Sequence, residues 1–426
     1  MRRVAADRDL FRAPVGTHDV LAPDSARWEE LVGAFAARAR RFGFGLCITP
    51  VYEHLEVFQR VGETTDIVRK EMYEFEDKGG RRLALRPEGT ASIVRAFVQH
   101  RPVVPWKAWY VAPNFRHERP QKGRYRQHWQ VGVEVLGAED PEVDVEVIDL
   151  AAGFLRDLGL RRVRLLVNSM GDEASRTRFR EVLLTYLRAN ADVLGGEMAR
   201  AEANPLRILD SKRDDWQELL DGAPQLGEYL SDESAGHFEK VQEGLQAVGI
   251  DFEIAPRLVR GFDYYTGTTF EIQSDALDAA QSAIGGGGRY DRLAEEMGGP
   301  PTAGIGFGIG IERVLIACDS EGALVSAGPE LDVYVVDALG GQAAAVLVHE
   351  LREAGLATDR AFGHRSVKKQ WGAADRSGAR RGVMLAPREW ENGDVVVKDL
   401  RAGTQVEVRR AEVMAWLLTS RESDPR

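Results

Sequence analysis

The stretch Ala108–Gly137, AWYVAPNFRHERPQKGRYRQHWQVGVEVLG, sets two apolar runs on either side of a loop crowded with arginine. The runs AWYVAPNF and HWQVGVEVLG alternate as strands do, with turn-forming and charged residues between them. Within Arg116–Arg126, Arg116, Arg119, Lys122, Arg124 and Arg126 face the single acid Glu118. The pattern reads as a long hairpin whose stems are anchored in a sheet. An arginine on such a stem presents a planar fork matched to phosphate oxygens, which a free loop positions poorly. The competing reading is a charged hairpin tip with its arginines in surface ion pairs.

Working outward, MYEFED and RRLALRP before the hairpin and RVRLLVN after it predict further antiparallel strands. Trp28–Phe42 puts Leu31, Phe35 and Ala36 on one helical face and stops at Gly43 and Gly45. LCITPVYE follows as a strand interrupted by Pro50, which lacks the ladder N–H and belongs at a sheet edge or a subunit boundary. Pro141–Leu158 reads as helix. Past residue 168 strand signals vanish, and helical stretches such as RTRFREVLLTYLRAN take over. Strands resume at LVRGFDYYTGTTFEIQ; Gly285–Gly288 reads as a tight turn before a helix. Thr302–Ile316, TAGIGFGIGIERVLI, reads as a Gly-rich strand passing into a helix. Beyond a linker near Ser320–Glu330, LDVYVVDA, ATDRAF and GVMLAP alternate with helices at Gln342–Ala354 and Val367–Ala379, a separate α/β unit. The expected division is therefore 1–168 and 251–325 as one core, 169–250 as a helical insertion, and 330–426 as a second domain.

Composition narrows the function. A chain of 426 residues, 44% hydrophobic and 29% charged, has material for two or three cores, and wholesale disorder is excluded. Cys47 and Cys318 stand far apart, which excludes a disulfide framework or a cysteine-rich zinc site and suits a reducing compartment. The charged N-terminus lacks an apolar signal core, and no run approaches the ~18 apolar residues of a spanning helix. A soluble, cytoplasmic protein without a membrane partner is expected. Its net charge of −11 argues against bulk nucleic-acid binding. The hairpin is nonetheless basic, and so is Arg360–Arg381, where Arg360, Arg365, Lys368, Lys369, Arg376, Arg380 and Arg381 face only Asp375. Such patches suit an anionic ligand contacted at defined places, or are two solvated surfaces. There is no P-loop, HExxH, CxxC or GxSxG, and GGGGRYD has the wrong spacing for a dinucleotide loop, so no metal site is expected.

Three further clusters carry chemistry. Gly304, Gly306, Gly308 and Gly310 alternate and leave one strand face bare, open to a planar ligand or another backbone. Arg313, at the start of the next helix beside Glu312, could reach a polyphosphate there, or sit in an ordinary ion pair. Arg260, Tyr264 and Tyr265 could line a polar pocket, or one tyrosine could fill the core. Arg86–Thr90, with Glu88 and Gly89, and the same-face pair Gln130 and Glu134 offer acceptors for an ammonium group.

Taken together, FRHERPQKGRYRQ resembles motif 2 of class II aminoacyl-tRNA synthetases, in the form carried by the histidyl-tRNA synthetase family. LVRGFDYYTGTTFE and GGGGRYDRLAEEMGG look like that family's two histidine signatures. GIGFGIGIERVL is similar to motif 3, ITPVYE to the dimer-forming motif 1, and GHRSVKKQWGAADRSGARRGVML to the anticodon-binding domain. The resemblance implies an α+β fold: a six-stranded antiparallel class II sheet flanked by helices, a helical insertion, and a C-terminal α/β anticodon-binding domain. It implies histidine activation by ATP, with Mg²⁺ accompanying the nucleotide and no other cofactor, followed by transfer to tRNA(His), in a homodimer paired through motif 1.

The resemblance also distributes roles. Arg116 would hold the α-phosphate, Arg313 the γ-phosphate, Arg124 the polyphosphate, and Glu312 the metal and ribose end. Arg260 would neutralise the amino-acid carboxylate together with the α-phosphate. Glu88, Thr90 and Gln130, with Gly89 between the first two, would receive the α-ammonium. Glu134 and Tyr265 would pair with the imidazole nitrogens, with Tyr264 lining the pocket. Gln121 and Arg126 would meet the tRNA acceptor end, and Arg365, Lys368, Lys369 and Arg376 the anticodon arm. A synthetase-like regulatory subunit of ATP phosphoribosyltransferase would typically lack the last domain and degrade the ATP-binding arginines; both are intact here.

Overall fold

A computed structural model describes residues 11–60, 67–209, 211, 213–259, 264–278, 282–325, 331–363 and 365–422. The chain divides into two compact units, one carried chiefly by Arg27–Val325 and one by Ser326–Arg426.

The first unit holds β1 (Gly45–Leu46), β2 (Tyr52–His54), β3 (Glu74–Glu76), β4 (Arg82–Leu85), β5 (Trp106–Phe115) and β6 (Gln127–Leu136). It continues with β7 (Val163–Ser169), β8 (Glu253–Ile254), β9 (Thr266–Ser274), β10 (Ala283–Arg289) and β11 (Gly304–Gly310). The hairpin is as expected: β5 pairs antiparallel with β6 from Trp106 opposite Leu136 to Phe115 opposite Gln127. β11 pairs with β6, β10 with β11, β9 with β10 and β7 with β9, all antiparallel. The six-stranded antiparallel sheet thus runs β5-β6-β11-β10-β9-β7, and β1 and β8 extend it by parallel pairing at the two edges. β2, β4 and β3 form a separate small sheet.

One expectation fails here. Gly285–Gly288 is not a turn; it lies inside β10. A Cβ at Gly287 would stand 1.9 Å from the Gly306 carbonyl oxygen, and one at Gly285 would stand 2.5 Å from Ile309 Cγ1. Glycine runs usually signal turns, but these serve a strand interior whose neighbour comes too close for side chains.

Helices Asp24–Arg41 and Pro141–Asp157 cover one face of the sheet. Phe35 sits edge-on to Phe154 at 5.0 Å and to Phe307 of β11 at 6.1 Å. The helix Glu173–Ala189 builds a core of its own, with Phe179, Leu183 and Leu187 around Trp216. The helix Asp232–Ala247, inside the expected insertion, instead sends Val241 and Leu245 into the main core. It is tied there by charge: fully buried Asp144 accepts from Arg289 Nε at 3.0 Å and lies 2.9 Å from His237 Nε2.

In the second unit β12 (Val333–Asp337), β13 (Thr358–Arg360) and β14 (Arg381–Leu385) are parallel; β15 (Asp394–Asp399) and β16 (Gln405–Arg409) add an antiparallel hairpin. The order is β13-β12-β14-β15-β16, around Val335, Leu347 and Val383. No described helix is long and apolar enough to cross a membrane.

Candidate active site

The ends of β5, β6, β10 and β11 and the hairpin loop surround a cleft of about 250 Å³ lined by Arg116, Arg124, Arg313, Glu88, Thr90, Gln130, Tyr264, Tyr265 and Glu312 among others. The glycine-spaced face of β11 is bare over half its length: Gly308 and Gly310 border the cleft, joined by Gly285 and Gly286 of β10, whereas Gly304 is covered by the Tyr290 ring and Gly306 by Glu134.

Three guanidiniums converge, two from the hairpin and one from the helix Ile311–Glu321 far along the chain. Arg116, just past β5, donates Nε to the Pro87 carbonyl at 2.9 Å, and its main-chain N–H to Arg126 at 2.9 Å. Arg313 donates Nε to the Gly123 carbonyl at 2.9 Å and Nη1 to Ala283 at 2.6 Å. Arg124 is paired with Glu118 at 3.0 Å. Part of each fork is spent on holding the arginine still, which is what preorganised charge requires. Burial, followed by the charges of Arg124 and others, pulls Arg313 below its usual range. The wall also contains His128, held down to about 3 by burial first and then by Arg116 and Arg313, so its imidazole is neutral at every working pH. Such a concentration of positive charge calls for an anion.

Acids share the same wall or lie just behind it. Both carboxylate oxygens of Glu312 accept the Trp129 N–H, at 2.9 and 3.1 Å, and burial pushes the group up to about 7. Glu88 is buried and caps the helix Thr90–His100, accepting from Thr90 N at 2.7 Å and Ala91 N at 2.6 Å. Gly89 is required between them, since a Cβ there would meet the Tyr110 ring at 2.6 Å. Gln130 accepts from Asn114 Nδ2 at 2.7 Å. The Tyr264 and Tyr265 rings lie 4.6 Å apart on the wall.

Glu134 does not reach that wall. It is fully buried behind Thr90 and Tyr110, where Oε1 accepts from Thr90 Oγ1 at 2.7 Å and Oε2 from the Tyr290 hydroxyl at 2.5 Å. Burial raises its carboxyl to about 8, against the hydrogen bonds of Tyr290 and Thr90. Arg260 lies outside the described residues. Of the tRNA candidates, Gln121 is exposed and bridges Arg124, while Arg126 turns inward to the Glu118 carbonyl at 3.2 Å. In the second unit Arg365, Lys368, Lys369 and Arg376 are all exposed along or beside the helix Val367–Arg376.

Sequence reasoning passed over Tyr110, Tyr290, His128, Glu118 and Glu271. His128 had a signal, because it precedes Gln130 by two on the strand and therefore shares its face. Glu118, Glu271 and Tyr290 had one too, since they lie inside the segments that resemble motif 2 and the two histidine signatures; Tyr110 joins the site only through the fold.

The histidyl-tRNA synthetase family model matches residues 16–314, and an anticodon binding domain model matches residues 332–420. A histidine–tRNA ligase of Streptomyces avermitilis is 47% identical over 415 residues, covering 96% of this chain and 98% of its own length. One from Geobacillus kaustophilus is 47% identical over 417 residues, with 96% and 98% covered. Among solved structures, the apo S. aureus histidyl-tRNA synthetase superposes with a TM-score of 0.80 at 33% identity, covering 95% of this chain and 99% of that one. A Bacillus halodurans protein described as an ATP phosphoribosyltransferase regulatory subunit/histidyl-tRNA synthetase has a TM-score of 0.61 at 22% identity, covering 84% of this chain and 96% of that one, which speaks to fold alone.

Proposed function

The chain belongs to the histidyl-tRNA synthetase family, class II ligases that use ATP to join histidine to tRNA, and from that premise we propose how its own residues divide the work. The histidine carboxylate attacks the α-phosphorus, the bond to the bridging oxygen breaks, and pyrophosphate leaves. The tRNA ribose hydroxyl then attacks the adenylate carbonyl, and AMP leaves. The protein contributes position and charge rather than a covalent step.

Arg116 grips the α-phosphate, where charge builds in the transition state, and Arg313 and Arg124 hold the outer phosphates. Glu312 and Glu271, both on the wall, would hold the Mg²⁺ that accompanies the triphosphate, and the ion would offset phosphate charge there. Arg260 neutralises the substrate carboxylate; Glu88, Thr90 and Gln130 take the ammonium. Tyr265 satisfies one imidazole nitrogen with Tyr264 beside it, and Glu134 reaches the other once the Thr90 and Tyr110 hydroxyls in front of it give way to the substrate. Gln121 and Arg126 serve the acceptor end, and Arg365, Lys368, Lys369 and Arg376 the anticodon arm. The enzyme works as a cytoplasmic homodimer paired near β1, where Leu46, Ile48 and Tyr52 are exposed at 51%, 84% and 51%. The observation that carries the reading is the convergence of Arg116, Arg124 and Arg313 on one cleft that also holds Glu88, Thr90 and the tyrosine pair. Histidine-dependent ATP–pyrophosphate exchange without tRNA tests it; a regulatory, non-catalytic relative would show none.

Two results are expected. A chain ending at Glu330 keeps pyrophosphate exchange within about threefold but charges tRNA at least tenfold more weakly, because only the second unit's contacts are lost. Exchange that disappears with the truncation would rule out this division of labour. The second concerns pH. Glu134, at about 8, already carries a proton at pH 6. Free histidine gains one below about 6.5. Acid and ring can share one proton but not two, so one must be released on binding. The histidine KM should therefore rise about tenfold per unit as pH falls below ~6.5, at saturating ATP. A flat profile down to pH 5 would remove Glu134 from the recognition scheme.

A further inference from the structure

Tyr290 lies in the second histidine signature without an assigned contact, yet it makes the shortest hydrogen bond to the most deeply buried acid of the site. Its hydroxyl stands 2.5 Å from Glu134 Oε2, and both residues are almost wholly shut off from solvent. Neither can drift. The Tyr290 main-chain N–H donates to Gly304 at 2.7 Å, and the ring lies so flat on Gly304 that a Cβ there would meet it at 2.3 Å. It also meets Tyr264, edge-on at 5.9 Å, which in turn lies tilted against Tyr265 at 4.6 Å. A tyrosine fixed by main chain on one side and by the pocket's own aromatic pair on the other can aim a partner precisely.

Glu134 needs such aim. Three hydroxyls surround it: Tyr290 on Oε2, and Thr90 at 2.7 Å and Tyr110 at 3.5 Å on Oε1. Among the described residues the titratable groups facing it are Tyr290, Tyr110, Tyr264 and Glu88, the last just before the helix Thr90–His100. From behind, β11 presses so close that a Cβ at Gly306 would fall 1.7 Å from Oε2. Thr90 and Tyr110 belong to the cleft wall and are exposed to changes when substrate enters; Tyr290 does not line it. Tyr290 is thus the donor that stays constant whether or not the cleft is filled. Burial raises the Glu134 carboxyl, and the Tyr290 bond is the largest influence opposing that rise.

We propose that Tyr290 is a positioning residue for histidine recognition, holding the Glu134 carboxyl by Oε2 so that its orientation toward the imidazole is set before substrate arrives. The role rests on the reading of Glu134 given above. A tyrosine buried only for packing would also need a partner for its hydroxyl. The two cases differ in whether its loss acts through Glu134.

The test is a double-mutant cycle in pyrophosphate exchange with Tyr290→Phe, Glu134→Ala and the pair. Tyr290→Phe keeps the ring and removes one hydrogen bond to an ionisable group, so the histidine KM should rise about tenfold or more while the ATP KM is unchanged. In the Glu134→Ala background the same change should add less than about twofold, because its target is gone. Independent, additive effects, or equal rises in both KM values, would make Tyr290 merely structural and overturn the proposal. If Glu134→Ala itself leaves the histidine KM unchanged, the Glu134 reading fails and takes the proposal with it. A strong Glu134→Ala effect beside a silent Tyr290→Phe defeats the proposal alone. Unfolding midpoints of the variants within a few degrees of the parent show that the comparison is between folded enzymes.

Discussion

Arg116→Ala is expected to lower histidine-dependent pyrophosphate exchange by about 10³-fold, the scale seen when one preorganised donor to a developing oxyanion is removed. The side chain is held by the Pro87 carbonyl at 2.9 Å and its backbone by Arg126 at 2.9 Å, so the fork is in place before ATP binds. Its loss falls on kcat more than on KM, because Arg313 and Arg124 still hold the nucleotide. Arg116→Lys should recover only part, since a point charge lacks the two-pronged fit to phosphate. A second readout is independent of activity. His128 is kept at about 3 by burial and then by Arg116 and Arg313. Removing Arg116 should raise the pH at which the His128 imidazole titrates, followed by NMR. Exchange within tenfold of the parent, or an unmoved His128, would show that Arg116 does not face the reacting phosphate.

Gly306→Ala should be the other severe change. Its Cβ would stand 1.7 Å from Glu134 Oε2 and 2.4 Å from the Val133 carbonyl oxygen. The first atom is the proposed imidazole partner; the second is main chain of the neighbouring strand and cannot turn aside. Either β6 and β11 separate, at the ~1–3 kcal/mol typical of overpacking, or Glu134 is pushed off its three hydroxyls. In both cases kcat/KM for histidine should fall by more than about 100-fold, as when a site loses the pairing for a substrate's polar group. Gly308→Ala is the internal control. It sits two residues on along the same face, yet the atoms nearest its Cβ belong to the Gln130 amide, at 3.3–3.4 Å, the movable end of a side chain. Its effect should stay within about tenfold. A Gly306→Ala enzyme with a normal histidine KM would separate Glu134 from recognition.

The parts legible in the sequence were those that local chemistry determines. The long hairpin showed in its alternation, the strand Gly304–Gly310 in its spaced glycines, and the second unit in its β-α rhythm. The edge strands β1 and β8, two residues each, carry no period to read. β10 was mistaken for a turn because four glycines look the same whether a chain bends or is crowded. At the site, arginines announced themselves by density, whereas Tyr110 and Tyr290 look like core aromatics until the fold places their hydroxyls on Glu134. Glu134 was found by its spacing from Gln130, but strand spacing gives a face and not a depth. Its seclusion behind Thr90 depends on how the helix Thr90–His100 docks, which no single segment encodes.

The glycine-paved side of the cleft limits redesign. Much of that side is main chain from β10 and β11: a Cβ at Gly285 would stand 2.5 Å from Ile309 Cγ1, and behind the wall one at Gly306 or Gly132 would stand 2.4 Å from a carbonyl oxygen of the neighbouring strand. An engineer wishing to admit an enlarged or substituted imidazole has little freedom at those three positions, since a graft there breaks the sheet before it reshapes the hole, whereas at Gly308 and Gly310 nothing lies nearer to an added Cβ than 3.3 Å. The tunable half is opposite, at Tyr264 and Tyr265, where whole side chains can be traded for smaller ones.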